Sequence, residues 1–349
     1  MKVVHIDSGL GNQMLSYCEY LALKKMNPDE DIYIETIVYD IPECNEVICQ
    51  WNGYELNQIF GIDAPNVKQL FTEEQWEQIM EDVRKTRFWE RNWNYPVCFT
   101  EAFERAGLHL RNIRGDFEEP SFKEACEGKM TLRRRFFDTK IGFMTKQLLR
   151  HLMRKKLIAA GDKTELIFLK NNEDVFTGQW LALKYKSCGI ECIEKEIRET
   201  FVFPNIQDEQ SIAILGMIQN TNSVAIHARR GDMLAYNRDC YRFGYFVRAV
   251  KYIRRHVENP VFIFFCDTES IEWCKENAHI FGLDYKKDKV YFVDWNKGED
   301  SFRDMQLMAQ CKHQIVTNSS FGWWGAYLNQ NPNKITCSPD CTINTTHYF

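Results

Sequence analysis

Beyond residue 206 the chain alternates in a regular way. Stretches with apolar residues at helical spacing give way to short runs that are apolar throughout. The pattern predicts a helix at about 207–219 and a strand at 223–228, then helix 244–256 and strand 261–265. Helix 268–279 with strand 289–293, helix 301–311 with strand 313–317, and helix 321–329 with a short strand at 334–337 continue it. Strands without polar alternation belong in a sheet covered on both faces, and repeated αβ units make that sheet parallel and doubly wound. Such sheets bind ligands outside the C-terminal ends of their strands. Three strand ends then share one crevice: His227–Asp232, Cys266-Asp267-Thr268 and Thr317-Asn318-Ser319-Ser320.

The first half is less regular. Residues 2–6 read as a strand, Ser8–Gln13 as a glycine turn, and Met14 to about Met26 as a helix stopped by Asn27-Pro28. Strand, glycine turn, helix opens many nucleotide-binding units, with free N–H groups at the helix start. The motif G-L-G-N-Q is not G-x-G-x-x-G, so a dinucleotide dehydrogenase is disfavoured. A plain βα turn accounts for the glycines but leaves Asn12 and Gln13 unexplained. Residues 31–39 read as a second strand. Asp29-Glu30-Asp31 has the D-x-D form of some metal-binding glycosyltransferases, but it precedes its strand and reads as a loop cap. From about 54 to 200 the chain is largely helical and polar, and Phe201–Asn205 marks a boundary between domains 1–205 and 206–349, whose last residues could pack back on the first domain.

Composition narrows the class. With 349 residues, 44% of them hydrophobic, the chain has enough material for two cores, and a net charge of −5 gives no general pull toward nucleic acid. No apolar run reaches membrane-spanning length and no signal-peptide region opens the chain, so a cytoplasmic location is expected. Thirteen cysteines are scattered through core-like positions. The pairs Cys188/Cys192, Cys337/Cys341 and Cys44/Cys49 lack a second pair at zinc spacing, so no metal is expected. Trp51, Trp76, Trp89 and Trp93 could form a sugar-stacking wall or simply core. The basic stretch 133–163 carries Leu148, Leu149, Leu152, Met153 and Leu157 among its charges. Packing of those residues on the domain is the preferred reading, with peripheral contact at an anionic inner-membrane surface as the alternative.

The chemistry-bearing residues each admit two readings. Arg229 and Arg230 end a buried strand, and their planar donor forks suit phosphate, though a strand end with solvated charges has the same composition. Ser320 is an ordinary N-cap or, with Ser319, a phosphate ligand at a helix N-terminus. Asp304 is the acidic half of a capping box with Ser301 or a reader of a base edge. Asp267 caps a helix or positions a ligand hydroxyl. Together with Gly11 and Asn12, the arginines and serines could converge on one diphosphate without a metal.

The same residues resemble a known family. His227–Asp232 is similar to the H-x-R-R-x-D motif of the α1,2-, α1,6- and protein O-fucosyltransferases. G-L-G-N-Q-M, F-C-D-T-x-x-x-x-W at Phe265–Trp273, and Asp304–Met308 through Asn318–Gly325 resemble the α1,2-fucosyltransferase branch, glycosyltransferase family 11. The resemblance runs from residue 9 to about 328, loosely over 40–170.

It implies an α/β fold of GT-B type, two Rossmann-like domains facing across a cleft. The implied activity is inverting transfer of L-fucose from GDP-fucose to the 2-hydroxyl of a terminal β-galactose, without metal or cofactor, on an oligosaccharide or lipid-linked glycan in a bacterial cytoplasm. Carried over by position, Arg229 holds the β-phosphate, and His227 and Asp232 line the donor site. Asp304 reads guanine, Ser319 and Ser320 bind phosphate oxygens, Phe321 completes that wall, and Asn12 approaches the diphosphate. Ser8 departs from the usual first glycine. Asn237 stands where α1,6 relatives carry a glutamate, which leaves Asp232 and Asp239 as weak candidates for the base. A fucosyltransferase of other linkage and a non-catalytic nucleotide-sugar-binding protein are the rival readings.

Overall fold

The computed structural model describes residues 1–44, 52–91, 95–112, 132–137, 139–146, 148–149, 152, 173–178 and 190–339. The chain forms two compact units, Met1–Phe201 and Val202–Phe349. Each is an α/β unit built on an all-parallel sheet, which the apolar runs beyond residue 206 required of the second.

The first unit carries strands β1 (Lys2–His5), β2 (Ile32–Glu35), β3 (Arg111–Asn112) and β4 (Val175–Thr177) in the order β2-β1-β4-β3. Its principal labelled helices are α1 (Leu10–Met26), α2 (Glu73–Lys85) and α3 (Tyr95–Arg105). Val3 and Phe176 of the sheet pack with Trp76, Ile79 and Val83 of α2 and Phe99 and Phe103 of α3. Trp76 and Trp89 belong to this core, so they are packing residues; Trp51 and Trp93 lie outside the described residues. Strand β2 is shorter than its apolar pattern. The Glu35 carboxylate accepts the Ile37 N–H, and the chain turns into a 3-10 helix at Ile37–Asp40.

The glycine turn is also tighter than expected. Helix α1 begins at Leu10 rather than Met14, so Gly11, Asn12 and Gln13 occupy its first turn, with Asn12 and Gln13 N–H donating to Gly9 O at 2.9 and 3.1 Å. Ser8, standing for the usual glycine, has φ of 65°, a left-handed backbone that costs an L-residue about 1 kcal/mol. Gln13 is explained by hydrogen bonding. Fully buried, its Nε2 donates to Ser8 O at 3.0 Å and Gly53 O at 2.8 Å, and its Oε1 accepts from Glu55 N at 2.9 Å. One amide therefore fastens the β1–α1 turn to the segment around Gly53. The D-x-D string sits at the opposite end of the sheet, where Glu30 pairs with Lys2 at 3.2 Å.

The second unit places β5 (Asn222–His227), β6 (Pro260–Phe265), β7 (Lys289–Val293), β8 (His313–Val316) and β9 (Thr336–Cys337) in the order β7-β6-β5-β8-β9. Counted within the unit this is 3-2-1-4-5, the Rossmann order, with its switch point between β5 and β8. The helices are α4 (Glu209–Asn220), α5 (Leu234–Arg242), α6 (Tyr245–His256), α7 (Ile271–Glu276), α8 (Phe302–Gln310) and α9 (Ser320–Tyr327). Alternate strand residues go to opposite faces. Val224, Ile226, Phe262, Phe264 and Ile315 meet Phe246, Val250 and Ile253 of α6. Ala225, Ile263, Phe265 and Val316 meet Ile214 and Ile218 of α4, Leu307 and Met308 of α8, and Ala326 of α9. Both faces are thus covered, which is why these strands read as unbroken apolar runs.

The expected packing of the basic stretch is not what the structure has. Leu148, Leu149 and Leu152 are exposed, as are Leu132, Ile141 and Met144. The rest of that stretch's apolar residues, Met153 and Leu157, lie outside the described residues, as do Cys49, Cys188, Cys341 and the final residues 340–349. Among the described residues no helix is long and apolar enough to cross a membrane.

The Gln13 arrangement yields a stability prediction. Gln13→Leu keeps the bulk but strands a buried N–H and two carbonyls, and it lowers unfolding free energy by about 2–3 kcal/mol. Urea unfolding followed by circular dichroism measures this; a midpoint equal to wild type would show that the amide is not a fastening point.

Candidate active site

The site is built at the switch point of the second sheet, where β5 and β8 end side by side. Register aligns His227 with Val316 across β5 and β8, and with Phe265 across β5 and β6. The loops that follow, Ala228–Gly231 and Thr317–Ser319, are tied together by side chains. Thr317 Oγ1 donates to His227 O at 3.1 Å and accepts from Arg229 N at 3.1 Å. Tyr241 Oη, from α5, donates to Arg229 O at 3.0 Å.

Asn237, also on α5 and fully buried, completes the clamp. Its Nδ2 donates to Arg229 O at 3.2 Å and Asn318 O at 3.3 Å, while its Oδ1 accepts from Asn318 N at 2.9 Å. An amide supplies the donor and the acceptor that this position needs, whereas an ionised carboxylate could only accept. Neither α5 nor this role was expected from the sequence. The signal was present: Leu234, Asn237 and Tyr241 stand at i, i+3 and i+7.

With its backbone held, the Arg229 side chain is only partly exposed. One terminal nitrogen pairs with Asp232 Oδ1 at 2.9 Å. Its Nε is buried and has no hydrogen-bond partner among the described residues. A buried charged donor in that state is costly unless a ligand satisfies it, and a guanidinium offers five N–H donors, enough to hold Asp232 and an anion together. Asp232 is half exposed and accompanies the arginine; Asp239 sits on α5, where its backbone carbonyl accepts from Phe243 N.

Arg230 behaves differently. Its guanidinium stacks on Trp273 at 3.4 Å and lies 5.0 Å from the Tyr241 ring centroid. It borders a cavity of about 610 Å³ between Leu234, Arg238, Trp273 and Ile280, whose lining does not include Ser319 or Ser320. Its N–H donates to Asp267 Oδ1 at 3.0 Å, and Ser270 Oγ donates to Asp267 Oδ2. Both oxygens of Asp267 therefore brace protein groups. It makes no side-chain helix cap.

His227 is buried, and its ring stacks beside Phe321 with centroids 5.9 Å apart. Burial, then the charge of Arg229, pull its pKa down to about 3, so the imidazole is neutral at physiological pH. The chain packs α9 so close that a Cβ on Gly322 would stand 2.4 Å from His227 Nδ1. Ser319 is the N-cap of α9 but makes no side-chain cap, and Ser320 opens the helix. The expectation that Ser320 is the N-cap is shifted by one residue. At this helix start the first backbone N–H groups have no intrahelical acceptor and carry positive dipole.

Asp304 lies in the first turn of α8. Ser301 makes no side-chain cap there, so the capping-box reading fails. The Asp304 carboxylate instead accepts from Asn296 Nδ2 at 2.7 Å, on the loop after β7. Burial raises its pKa to about 7, with the Asn296 bond opposing. It is within electrostatic reach of the end of β6. The contact with Cys274, then burial, then the Cys274, Asp267 and Asp304 charges push the Cys266 thiol up. The structure thus gathers His227, Arg229, Asp232, Asp267, Asp304, Ser319, Ser320 and Phe321 at the strand ends of one sheet. Gly11 and Asn12 belong to the equivalent helix start of the first unit.

The Asp304 shift has a stability signature. Folded Asp304 binds its proton more tightly than unfolded, so its contribution is present at acid pH and is lost as pH rises from about 4 to about 7. Relative to wild type, Asp304→Asn gains about 1.4 kcal/mol for each pH unit across that window. Denaturation at pH 4.5, 5.5 and 6.5 measures it; parallel pH dependences for the two proteins would rule it out.

Residues 193–341, which include all of the site's second-unit elements, match the model of glycosyl transferase family 11. An alpha-1,2-colitosyltransferase of Escherichia coli is 36% identical over 171 residues, 47% of this chain and 54% of that protein. A human galactoside alpha-(1,2)-fucosyltransferase 1 is 28% identical over 148 residues, 39% of each chain. The chain therefore spans about half, or less, of the curated relatives it matches. Among solved structures, the fucosyltransferase NodZ from Bradyrhizobium aligns over 93% of this chain and 91% of that one, at 10% identity and a TM-score of 0.42. Residues 193–341 thus resemble glycosyl transferase family 11.

Proposed function

We propose that the chain is an inverting, metal-independent α1,2-fucosyltransferase that moves L-fucose from GDP-fucose to the 2-hydroxyl of a terminal β-galactose. The observation that carries this reading is the unsatisfied, buried Nε of Arg229 beside the start of α9 at the sheet's switch point. As GDP departs, negative charge grows on the β-phosphate. A fixed guanidinium and helix N–H groups aimed at that oxygen stabilise the transition state. The clamp on the Arg229 backbone removes most of the reorganisation that would weaken such an effect. His227, neutral beside Arg229, adds no competing charge. Asp232, ion-paired with Arg229, and Asp239 stay as weak candidates for the base.

The linkage rests on the names of two relatives, an alpha-1,2-colitosyltransferase and a galactoside alpha-(1,2)-fucosyltransferase. Both are 1,2-transferases, and only the second names the galactoside. A colitose donor is the second reading, favoured by the higher identity of that relative. The exposed Leu132, Ile141, Met144, Leu148 and Leu149, near exposed Arg135 and Lys140, fit an anionic bilayer surface and hence a lipid-linked acceptor.

Labelled GDP-fucose and GDP-colitose, offered with a panel of β-galactosides, test the reaction, and NMR of the product gives the linkage. Arg229→Ala is expected to lose about 10²–10³ in kcat, and excess EDTA to leave the rate unchanged. Near wild-type turnover in the variant, or abolition by EDTA, would overturn the phosphate role or the metal independence. GDP binding without turnover on any acceptor would favour a nucleotide-sugar-binding protein. Vesicles test the surface separately. Co-sedimentation with phosphatidylserine vesicles is expected, with loss in Leu148→Ser/Leu149→Ser; equal partitioning of both proteins would exclude the contact.

A further inference from the structure

The Asp304 carboxylate is held in an unusual way. Among the described residues, Asn296 is the one side chain that hydrogen-bonds it, through Nδ2 to Oδ1 at 2.7 Å. Asn296 is in turn oriented from behind. Its Oδ1 faces Ser211 Oγ at 3.5 Å, and Ser211 Oγ accepts from Trp295 Nε1 at 2.9 Å. Ser211 is fully buried in the first turn of α4, with its N–H bonded to Asp208 at 2.7 Å. The chain Trp295–Ser211–Asn296–Asp304 links α4, the loop after β7 and α8. The amide's direction follows from chemistry: a carboxylate only accepts, so Nδ2 must face Asp304 and Oδ1 must face the hydroxyl.

The consequence is chemical. Asn296 occupies one oxygen of Asp304 with a neutral donor, so it orients the group without cancelling its charge. The remaining acceptor capacity is directed by that bond. An ionised carboxylate pairs with a base edge that presents two adjacent N–H donors, which is a guanine edge. Hypoxanthine presents one of them, and adenine presents an acceptor beside its amine.

We propose that Asn296 is a positioning residue that sets base selectivity, holding Asp304 so that its carboxylate accepts the paired N–H groups of a guanine nucleotide. This rests on the reading of the site as a GDP-sugar pocket. Ser211 and Trp295 act one step further back, by fixing the amide.

Calorimetric titration of the full chain with GDP, inosine diphosphate and ADP tests it. Wild type is expected to prefer GDP over both. Asn296→Leu and Asn296→Ser, the second too short to reach Asp304, are expected to lower GDP affinity about tenfold and inosine diphosphate affinity much less, so the ratio of the two collapses. A general structural lesion would weaken both nucleotides alike. If wild type shows no preference for GDP, the donor reading itself fails. If wild type prefers GDP and a folded variant, judged by its melting curve, keeps the wild-type ratio, the role of Asn296 is overturned. Ser211→Ala, with an expected two- to threefold loss in the ratio, decides the matter by the same comparison should both Asn296 variants fail to fold.

Discussion

The second unit's site depends on how the Arg229 backbone is held. Its N–H is taken by Thr317, and its carbonyl is shared by Asn237 and Tyr241. These bonds join the loop after β5 to the loop after β8 through a helix that belongs to neither strand. A guanidinium on a long side chain has rotamer freedom that a mobile backbone would multiply. Fixing the backbone leaves the side chain a limited arc, with Asp232 at one end of it. That is preorganisation by hydrogen bonding at the peptide level, and it asks for an amide at 237 because donor and acceptor are needed from one side chain.

Much of the second unit was legible because its physics is repetitive. Strands buried on both faces must be apolar at every position, and helices that cover them must show apolar spacing of three and four. Those rules place β5 to β8, and the strand-end rule then places Arg229 and Ser319 at one switch point. Helix α5 was hidden for a different reason. Its inward residues include Asn237, whose burial is compensated by hydrogen bonds to loops, and a polar residue at a core position interrupts the apolar spacing. The first unit was less legible because β3 and β4 have only two and three residues, too short for periodicity to register. The start of α1 was misplaced because its first turn reads as glycine and amide, and only the long-range bonds of Gln13 show why.

Local readings of single polar residues divided according to what their side chains touch. Ser301 and Asp304 have capping-box spacing, yet the carboxylate turns to Asn296. Asp267 has ligand-like placement at a strand end, yet Arg230 and Ser270 take both oxygens. Adjacent arginines divide their labour: Arg229 keeps an open donor, while Arg230 lies flat on Trp273 and anchors the loop from the other side. Residue type announces which chemistry is available, but partners decide which of it is already used.

The approach of α9 to β5 has a consequence for how this sequence can vary. Gly322 has no room for a methyl group because the His227 imidazole fills it. The obstacle is a ring locked between Thr317 and Phe321, which cannot swing aside as the end of a flexible chain would. A side chain can therefore enter at 322 only in a protein that has given up the ring at 227. The two positions, ninety-five apart in sequence, form a linked pair in which histidine requires glycine, and any redesign of the anion pocket must change them together.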